Sequence, residues 1–312
     1  MSVSLSGSRL AIATCSLYPT VYPDDVYFVD VLKRLGVQPT FCIWNDPSVD
    51  WAAFDAVLIR TVWDYFQHYA AFLTWLDTLD RLGVPTINDT RLIRWNSEKR
   101  YLLDLEQQRV PIIPTRIAHG GNVSEALQSM SGQEVVIKPT VSGGAWHTVR
   151  GTVGNADFQQ ALARLPTHLD YLVQPFVPEI ASHGEWSLLY FAGTYSHAVI
   201  KYPAAGDYRV QTEHGGTATQ ITPDAAIVDA ADKALAAVAA LGHAEQAYVR
   251  VDGVMMEGQF RIMELEFIEP LLHLTIRSDA AERFAQHVVD RLHRLQNERD
   301  NQAASAKRGG KS

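Results

Sequence analysis

Apolar and polar positions alternate along two runs near the carboxyl-terminal third, in residues 248–270, YVRVDGVMMEGQFRIMELEFIEP. A period of two with Gly258 between the runs predicts a β-hairpin. Parity then places Arg250 and Asp252 on one face and Val249 and Val251 on the other. On the second strand Glu264 and Glu266 oppose Met263, Leu265 and Phe267. A three-residue loop, 257–259, sets Asp252 across from Glu264 and Arg250 across from Glu266, whereas a two-residue loop would set Asp252 against Met263. The three-residue loop is the expectation. Like charges directly opposite on a sheet repel, so Asp252, Glu264 and Glu266 together ask for a cation. Hard carboxylate oxygens suit Mg²⁺. An ordinary solvated sheet face is the alternative, and the apolar opposite face weighs against it.

Elsewhere the pattern predicts short buried strands at 10–16, 40–44 and 56–61, with helices at 25–35 and 68–82 ended by Gly36 and Gly83. Alternating strand and helix imply a small parallel, Rossmann-like α/β unit, whose ligands sit beyond the carboxyl ends of its strands. Residues 60–65, RTVWDY, occupy that place. Arg60, Trp63, Asp64 and Tyr65 are therefore candidate contacts to the carboxylate or amine of a small substrate. A structural aromatic corner with an Arg–Asp pair explains them equally well. The unit lacks GxGxxG, so no nicotinamide or flavin dinucleotide is expected.

Residues 96–108, NSEKRYLLDLEQQ, read as one helix capped by Asn96 or Ser97. Lys99 and Arg100 would stand in its first turn, where the helix dipole disfavours cations and an anionic ligand would compensate. Pro111 and Pro114 then mark a boundary. In 134–149, EVVIKPTVSGGAWHTV, a β-branched run delivers Lys138, and Ser142, Gly143 and Gly144 follow in a loop. Glycines let backbone N–H groups approach phosphate oxygens; a plain turn and a solvated lysine are the alternatives. Residues 171–179, YLVQPFVPE, form a strand broken by Pro175 and Pro178, either an adenine-binding edge with Glu179 at a ribose or an interdomain linker. A strand pair over 185–203 leads to Arg209, whose planar fork suits a phosphoryl group. His214 and Gly215 follow in a loop as candidate substrate or phosphate contacts, with an incidental histidine as the alternative. An Ala-rich helix at 224–241 and an amphipathic one at 279–295 pack on sheets, and the polar stretch from 297 to 312 is expected to be disordered.

The chain has 312 residues, of which 47% are hydrophobic and 20% charged, enough for two or three packed units. A net charge of -8 argues against nucleic acid as the main partner. Cys15 and Cys42 lie in apolar runs, as buried thiols of a reducing compartment would. With no apolar run of membrane-spanning length and no basic leader, a cytoplasmic protein without a membrane partner is expected.

A lysine in a helix, a lysine ending a strand before a glycine loop, QPFVPE, an arginine, then RVD and ELE on paired strands follow in an order that resembles the ATP-grasp superfamily. The likeness runs over roughly residues 96–270 and is greatest to its glutathione-synthetase-like and D-alanine–D-alanine-ligase-like branches. It implies an α/β protein, α+β in its ATP-binding part, divided into a substrate domain (1–95), a lid (96–177), a Mg²⁺-site domain (178–298) and a tail (299–312). Lys99 and Lys138 would hold ATP phosphates beneath the Ser142–Gly143–Gly144 loop. Gln174, Phe176 and Val177 would line the adenine pocket through backbone groups, with Glu179 at the ribose. Arg209 and Arg250 would face the transferring phosphoryl group. Asp252, Glu264 and Glu266 would hold two Mg²⁺ ions, with Mn²⁺ able to substitute, although Glu266 stands where the family commonly has Asn. The implied activity is ATP-dependent carboxylate–amine ligation of a small amino or carboxylic acid through an acyl phosphate, releasing ADP and phosphate. A homodimer is compatible with the sequence. A narrower resemblance, carried by the WDY-type loop with His214 and His273, is to the cyclo-ligase that closes D-cycloserine from O-ureido-D-serine. A non-catalytic ATP-binding module is the third reading, but it would be expected to lose a lysine or carboxylate that this chain retains.

Overall fold

A computed structural model describes residues 7–120, 122–210 and 215–309, and three sheets organise them. The first is all parallel, in the order β2-β1-β3-β4, from β1 (Arg9–Thr14), β2 (Gln38–Ile43), β3 (Ala56–Thr61) and β4 (Thr86–Ile87). Helix α1 (Val26–Arg34) packs on Leu10, Ile12 and Leu58, and α2 (Tyr69–Leu82) on Ala11, Val57 and Ile59. Covered faces on both sides explain why β1 and β3 read as continuous apolar runs. Gly83 ends α2 in the left-handed region, at φ 65°.

The helix expected over 96–108 is two helices, α3 (Thr90–Asn96) and α4 (Tyr101–Gln107). Asp89 caps α3 by accepting from the Leu92 amide at 2.8 Å. Asn96 ends a helix rather than starting one, because its side chain is taken up elsewhere: Nδ2 donates to the Leu265 carbonyl at 2.7 Å, and Oδ1 accepts from the Phe267 amide at 2.9 Å. Lys99 therefore lies in the turn between helices. Its amide donates to the Thr140 carbonyl at 2.7 Å.

The second sheet is antiparallel, in the order β5-β8-β6-β7, from β5 (Arg116–Ala118), β6 (Glu134–Pro139), β7 (Val149–Thr152) and β8 (Tyr171–Pro175). Helices α5 (Val123–Leu127) and α6 (Ala156–Leu162) share a small core with it. After the short α7 (Glu179–His183), the third sheet runs β11-β10-β9-β12-β13. Its strands are β9 (Glu185–Phe191), β10 (Thr194–Tyr202), β11 (Thr217–Ile221), β12 (Tyr248–Met256) and β13 (Gln259–Glu266). Helix α8 (Ala225–Ala240) covers one face through Leu188, Tyr190, Val249, Val251 and Leu265. On the other face Leu189, Phe191 and Tyr248 pack against α1 and α9 (Ala280–Gly309), where Phe284 stacks on Phe28 and Phe191. Helix α9 continues through the stretch expected to be disordered, as far as Gly309, and Arg299 Nη2 donates to the Asp55 carbonyl at 2.7 Å. No helix among the described residues is long and apolar enough to cross a membrane.

The hairpin has the expected charge pairing but not the expected loop. Arg250 faces Glu266 and Asp252 faces Glu264, while Met256 pairs with Gln259 across a two-residue turn. Glu257 and Gly258 have φ of 53° and 77°, the left-handed pair that matches strand twist. The register shifts between Asp252 and Gly253, so Gly253 pairs with Ile262 and Met263 is the extra residue of a bulge. Met263 thereby joins Val254 and Val177 instead of sharing a face with Leu265. A Cβ at Gly253 would lie 2.8 Å from the Arg261 carbonyl oxygen, so the bulge needs glycine there.

Candidate active site

Above the apolar half of the third sheet's inner face, side chains from four strands form a row of opposed charges. The register sets Lys201 beside Glu185, Ser187 beside Asp252, and Asp252 beside Glu264. Asp252 is 3% exposed. It accepts from Ser187 Oγ and from Arg250 Nε and Nη2, at 2.9 and 2.8 Å for the latter two, and Lys201 Nζ stands 3.8 Å away. Lys201 pairs with Glu185, and Arg250 also pairs with Glu266. From the turn after α3, Lys99 Nζ reaches Glu264 at 2.8 Å and the Ser142 carbonyl at 2.6 Å. Lys138, at the end of β6, has no hydrogen bond or ion pair among the described residues.

Crowding decides the charge states. Burial would raise Asp252, but Arg250 and Lys201 hold it well below the carboxylate range. Against burial, Lys99 and Lys138 hold Glu264 down. Glu266 is pushed up to about 7 by burial, and Asp252 and Glu264 work against the Arg250 cation beside it. Glu269 is pushed up to about 8 by burial and by Glu266. Burial lowers Lys138, with Glu264 opposing and Lys99 adding to the effect. His273 falls to about 3 through burial and the nearby Arg250 and Lys201.

Among the described residues no three His, Cys, Asp or Glu side chains stand together as a metal cage. Asp252, Glu264 and Glu266 are each tied to a cationic side chain instead. The donor set nonetheless fits a hard divalent ion, since it is all carboxylate oxygen and one of its members, Glu266, remains short of positive charge.

The phosphate loop lies against the first unit. Ser142 is buried and its hydroxyl donates to the Pro139 carbonyl at 3.0 Å. A Cβ on Gly143 would come within 2.8 Å of the Phe66 ring, and Gly144 is left-handed. Gln174 Nε2 donates to Thr115 Oγ1 at 2.8 Å. The Phe176 amide is spent on the Glu134 carbonyl, and the Arg150 guanidinium lies 3.5 Å over its ring. Val177 packs with Ile113, Val210 and Val254, an apolar patch beside the bulge. Glu179 opens α7 and accepts from the Glu257 amide at 3.5 Å. Arg209 is held by Asp207, Nη2 to Oδ2 at 2.8 Å, rather than by the sheet face. Gly215 is exposed and left-handed, and His214 lies outside the described residues.

At the end of β3 the expected substrate loop is built inward. Arg60, 3% exposed, spends Nε and Nη2 on both Asp25 oxygens at 3.0 and 2.9 Å, and Nη1 on the Pro270 carbonyl at 3.1 Å. Its partner is Asp25, not Asp64, which accepts from Trp44 Nε1 at 2.7 Å. Tyr65 is buried against Phe72. Trp63 Nε1 donates to the Glu269 carbonyl at 2.9 Å, and Tyr18 and Tyr22 meet its ring edge to face. Arg60, Asp64 and Tyr65 thus spend their polar groups and ring on the protein itself. The residues that sequence reasoning missed are Lys201, Glu185, Ser187 and Glu269. Lys201 and Glu185 are lone charges in apolar strands, so the parity test that isolated Asp252 applies to them equally.

Comparison with known proteins gives consistent matches. A family model described as the N-terminal domain of the D-cycloserine synthetase DcsG matches residues 10–88. The cycloserine biosynthesis protein DcsG of Streptomyces lavendulae is 32% identical over 298 residues, which cover 91% of this chain and 98% of that protein. The crystal structure of D-cycloserine synthetase DcsG superposes with a TM-score of 0.82 at 31% identity, covering 91% of this chain and 100% of that one. A D-alanine–D-alanine ligase from Bacillus anthracis shares the fold, with a TM-score of 0.64 at 14% identity over 94% of this chain and 99% of its own.

Proposed function

Since the chain belongs to the family of the cycloserine biosynthesis protein DcsG, ligases of the ATP-grasp fold that form carbon–nitrogen bonds, we propose that it cyclises a small amino-acid derivative of the O-ureido-D-serine type. The observation that carries this is identity of 32% sustained over 98% of the Streptomyces lavendulae protein. In this reading the substrate carboxylate attacks the γ-phosphoryl of ATP, ADP leaves, and an acyl phosphate forms. A nitrogen of the same molecule then displaces phosphate.

The chain's own residues supply positioning and charge. Lys138, without a partner, would take a phosphate oxygen, and Lys99 would exchange the Ser142 carbonyl for another. Gln174, Phe176 and Val177 would border the base beside the Met263 bulge, with Glu179 near the ribose. Asp252, Glu264 and Glu266 would hold Mg²⁺, as two ions, with Mn²⁺ a substitute. The ion would neutralise charge developing on the transferring group. Arg250, anchored by Asp252 and Glu266, would face the acyl phosphate, and Arg209 would reach it on leaving Asp207. We assign residues 1–95 to substrate binding, 96–177 to the lid and 178–298 to the metal. Cys15 and Cys42 are free and buried, which supports a reducing, cytoplasmic setting.

Release of ADP and phosphate with Mg²⁺, screened over amino acids singly and in pairs with O-ureido-D-serine among them, tests the proposal. Release with O-ureido-D-serine alone is expected. A strict requirement for two compounds would make the reaction intermolecular, and silence across the panel would remove the ligase assignment.

A further inference from the structure

The segment that follows β13 is held to an unusual degree. Six consecutive carbonyls each accept from a side chain: Phe267 from Asn88 Nδ2 at 2.8 Å, Ile268 from the Tyr248 hydroxyl at 2.9 Å, and Glu269 from Trp63 at 2.9 Å. Pro270 accepts from Arg60 at 3.1 Å, Leu271 from Arg250 Nη1 at 3.2 Å, and Leu272 from His197 Nε2 at 3.1 Å. The Asp24 carboxylate then takes the Leu274 amide at 2.9 Å and the Thr275 amide and hydroxyl at 3.1 and 3.0 Å. Within this run His273 keeps a left-handed φ of 50°, a conformation that persists only where surrounding structure enforces it.

Side chains that stabilise backbone this thoroughly keep whatever the segment presents from relaxing. What it presents is Glu269. Its carboxylate has no hydrogen bond or ion pair among the described residues. Glu266, Lys99, Glu264 and Arg250 are the charged groups around it, so it belongs to the site while remaining unpaired. Lys99 and Arg250 are already engaged by Glu264, Glu266 and Asp252. Trp63, which donates to the Glu269 carbonyl, has Tyr18 and Tyr22 against its ring. A half-buried carboxylate on a backbone held this firmly, with its neighbouring cations already taken, is completed by a cation from outside.

We propose that Glu269 receives the ammonium group of the amino-acid substrate, fixing the molecule by its amine while its carboxylate points to the phosphate side. This rests on the amino-acid reading above. It assigns Arg60, Trp63, Asn88 and Asp24 the role of positioning residues that hold the Glu269 backbone.

The test is steady-state ADP release by the wild type and by Glu269→Gln, which keeps the shape and the carbonyl bonded to Trp63. With O-ureido-D-serine, or whichever amino acid the panel identifies, KM for the amino acid should rise about 10- to 100-fold in the variant, the range for one charged hydrogen bond. KM for ATP and half-saturation by Mg²⁺ should move less than about twofold. The deamino analogue should lose as much in the wild type as the amino acid loses in the variant, and the variant should lose nothing further on it. An unchanged amino-acid KM, a shifted Mg²⁺ requirement, or equal loss on the deamino analogue in both proteins would overturn the proposal while leaving the ligase reading intact. A wild type inert to every amino acid would remove both.

Discussion

The inner face of the third sheet and the loop after β3 use the same materials, arginine, carboxylate and aromatic ring, to opposite ends. On the sheet face, Asp252, Glu264 and Glu266 are held by Arg250, Lys201 and Lys99 at the boundary of two units, with Lys138 unpaired among the described residues and Glu266 above its ordinary range. In the loop, Arg60 donates to Asp25 and Pro270, Trp63 to Glu269, and Asp64 accepts from Trp44, so the polar groups close on the protein itself. The first arrangement leaves an electrostatic demand that a phosphate and a metal can meet. The second is satisfied, and its output is the position of someone else's side chain.

If that contrast is right, substitutions should separate turnover from stability. Asp252→Asn and Glu264→Gln should each lower turnover by about 100- to 1,000-fold, with only a modest fall in the thermal midpoint, because Arg250 keeps Glu266, Lys201 keeps Glu185 and Lys99 keeps the Ser142 carbonyl as partners. Near-normal ADP release in both would dissolve the metal assignment. Arg60→Met should do the reverse, destabilising by about 3–5 kcal/mol because Asp25 is left buried without its cation. A normal melting curve with a raised substrate KM would return Arg60 to the substrate.

Lys138→Met sharpens the comparison further. Loss of an unpaired, partly desolvated ammonium should weaken ATP binding about tenfold without lowering stability, as read by calorimetric titration and melting, and unchanged nucleotide affinity would count against the phosphate role. The smallest effect concerns pH. Glu266 and Glu269 are raised to about 7 and about 8 from an ordinary 4.5. Their contribution is therefore fully present below about pH 4.5 and is lost as pH rises through 7 to 8. In metal-free protein the thermal midpoint should fall between pH 6 and 8.5, and Mg²⁺ should flatten that fall. A midpoint that climbs over this range would contradict the crowding of the two carboxylates.

Much of the sheet face was legible because strand parity separates faces whatever the partner. RVD and ELE announce their charges against Val249, Val251, Leu265 and Phe267 on the other side. The Asp252–Glu264 pairing was reached through a three-residue loop, whereas the chain uses a two-residue turn and recovers the register at the Met263 bulge. A bulge leaves little local mark: only Gly253, pressed against Arg261, hints at one. The parallel order of the first unit followed from its alternation of strand and helix. Asn96 is misplaced as a cap, and Arg60 stays open between a substrate contact and an Arg–Asp pair, for one reason. Their partners, Leu265 and Phe267 for one and Asp25 and Pro270 for the other, are distant in sequence. A capping asparagine or a substrate arginine looks the same until the fold brings those partners in. The polar stretch after residue 297 lacks an apolar face, yet α9 runs on through it, because a helix already nucleated extends at little cost.

The central claim is that a carboxylate is activated by phosphoryl transfer on the face built by Asp252, Glu264, Lys99 and Lys138. Turnover of O-ureido-D-serine labelled with heavy oxygen in its carboxylate, followed by mass analysis of the released phosphate, tests it most directly. Acyl phosphate formation predicts one labelled oxygen in each phosphate released. Unlabelled phosphate alongside full ADP release would show that the carboxylate never carried the phosphoryl group, and would contradict the account.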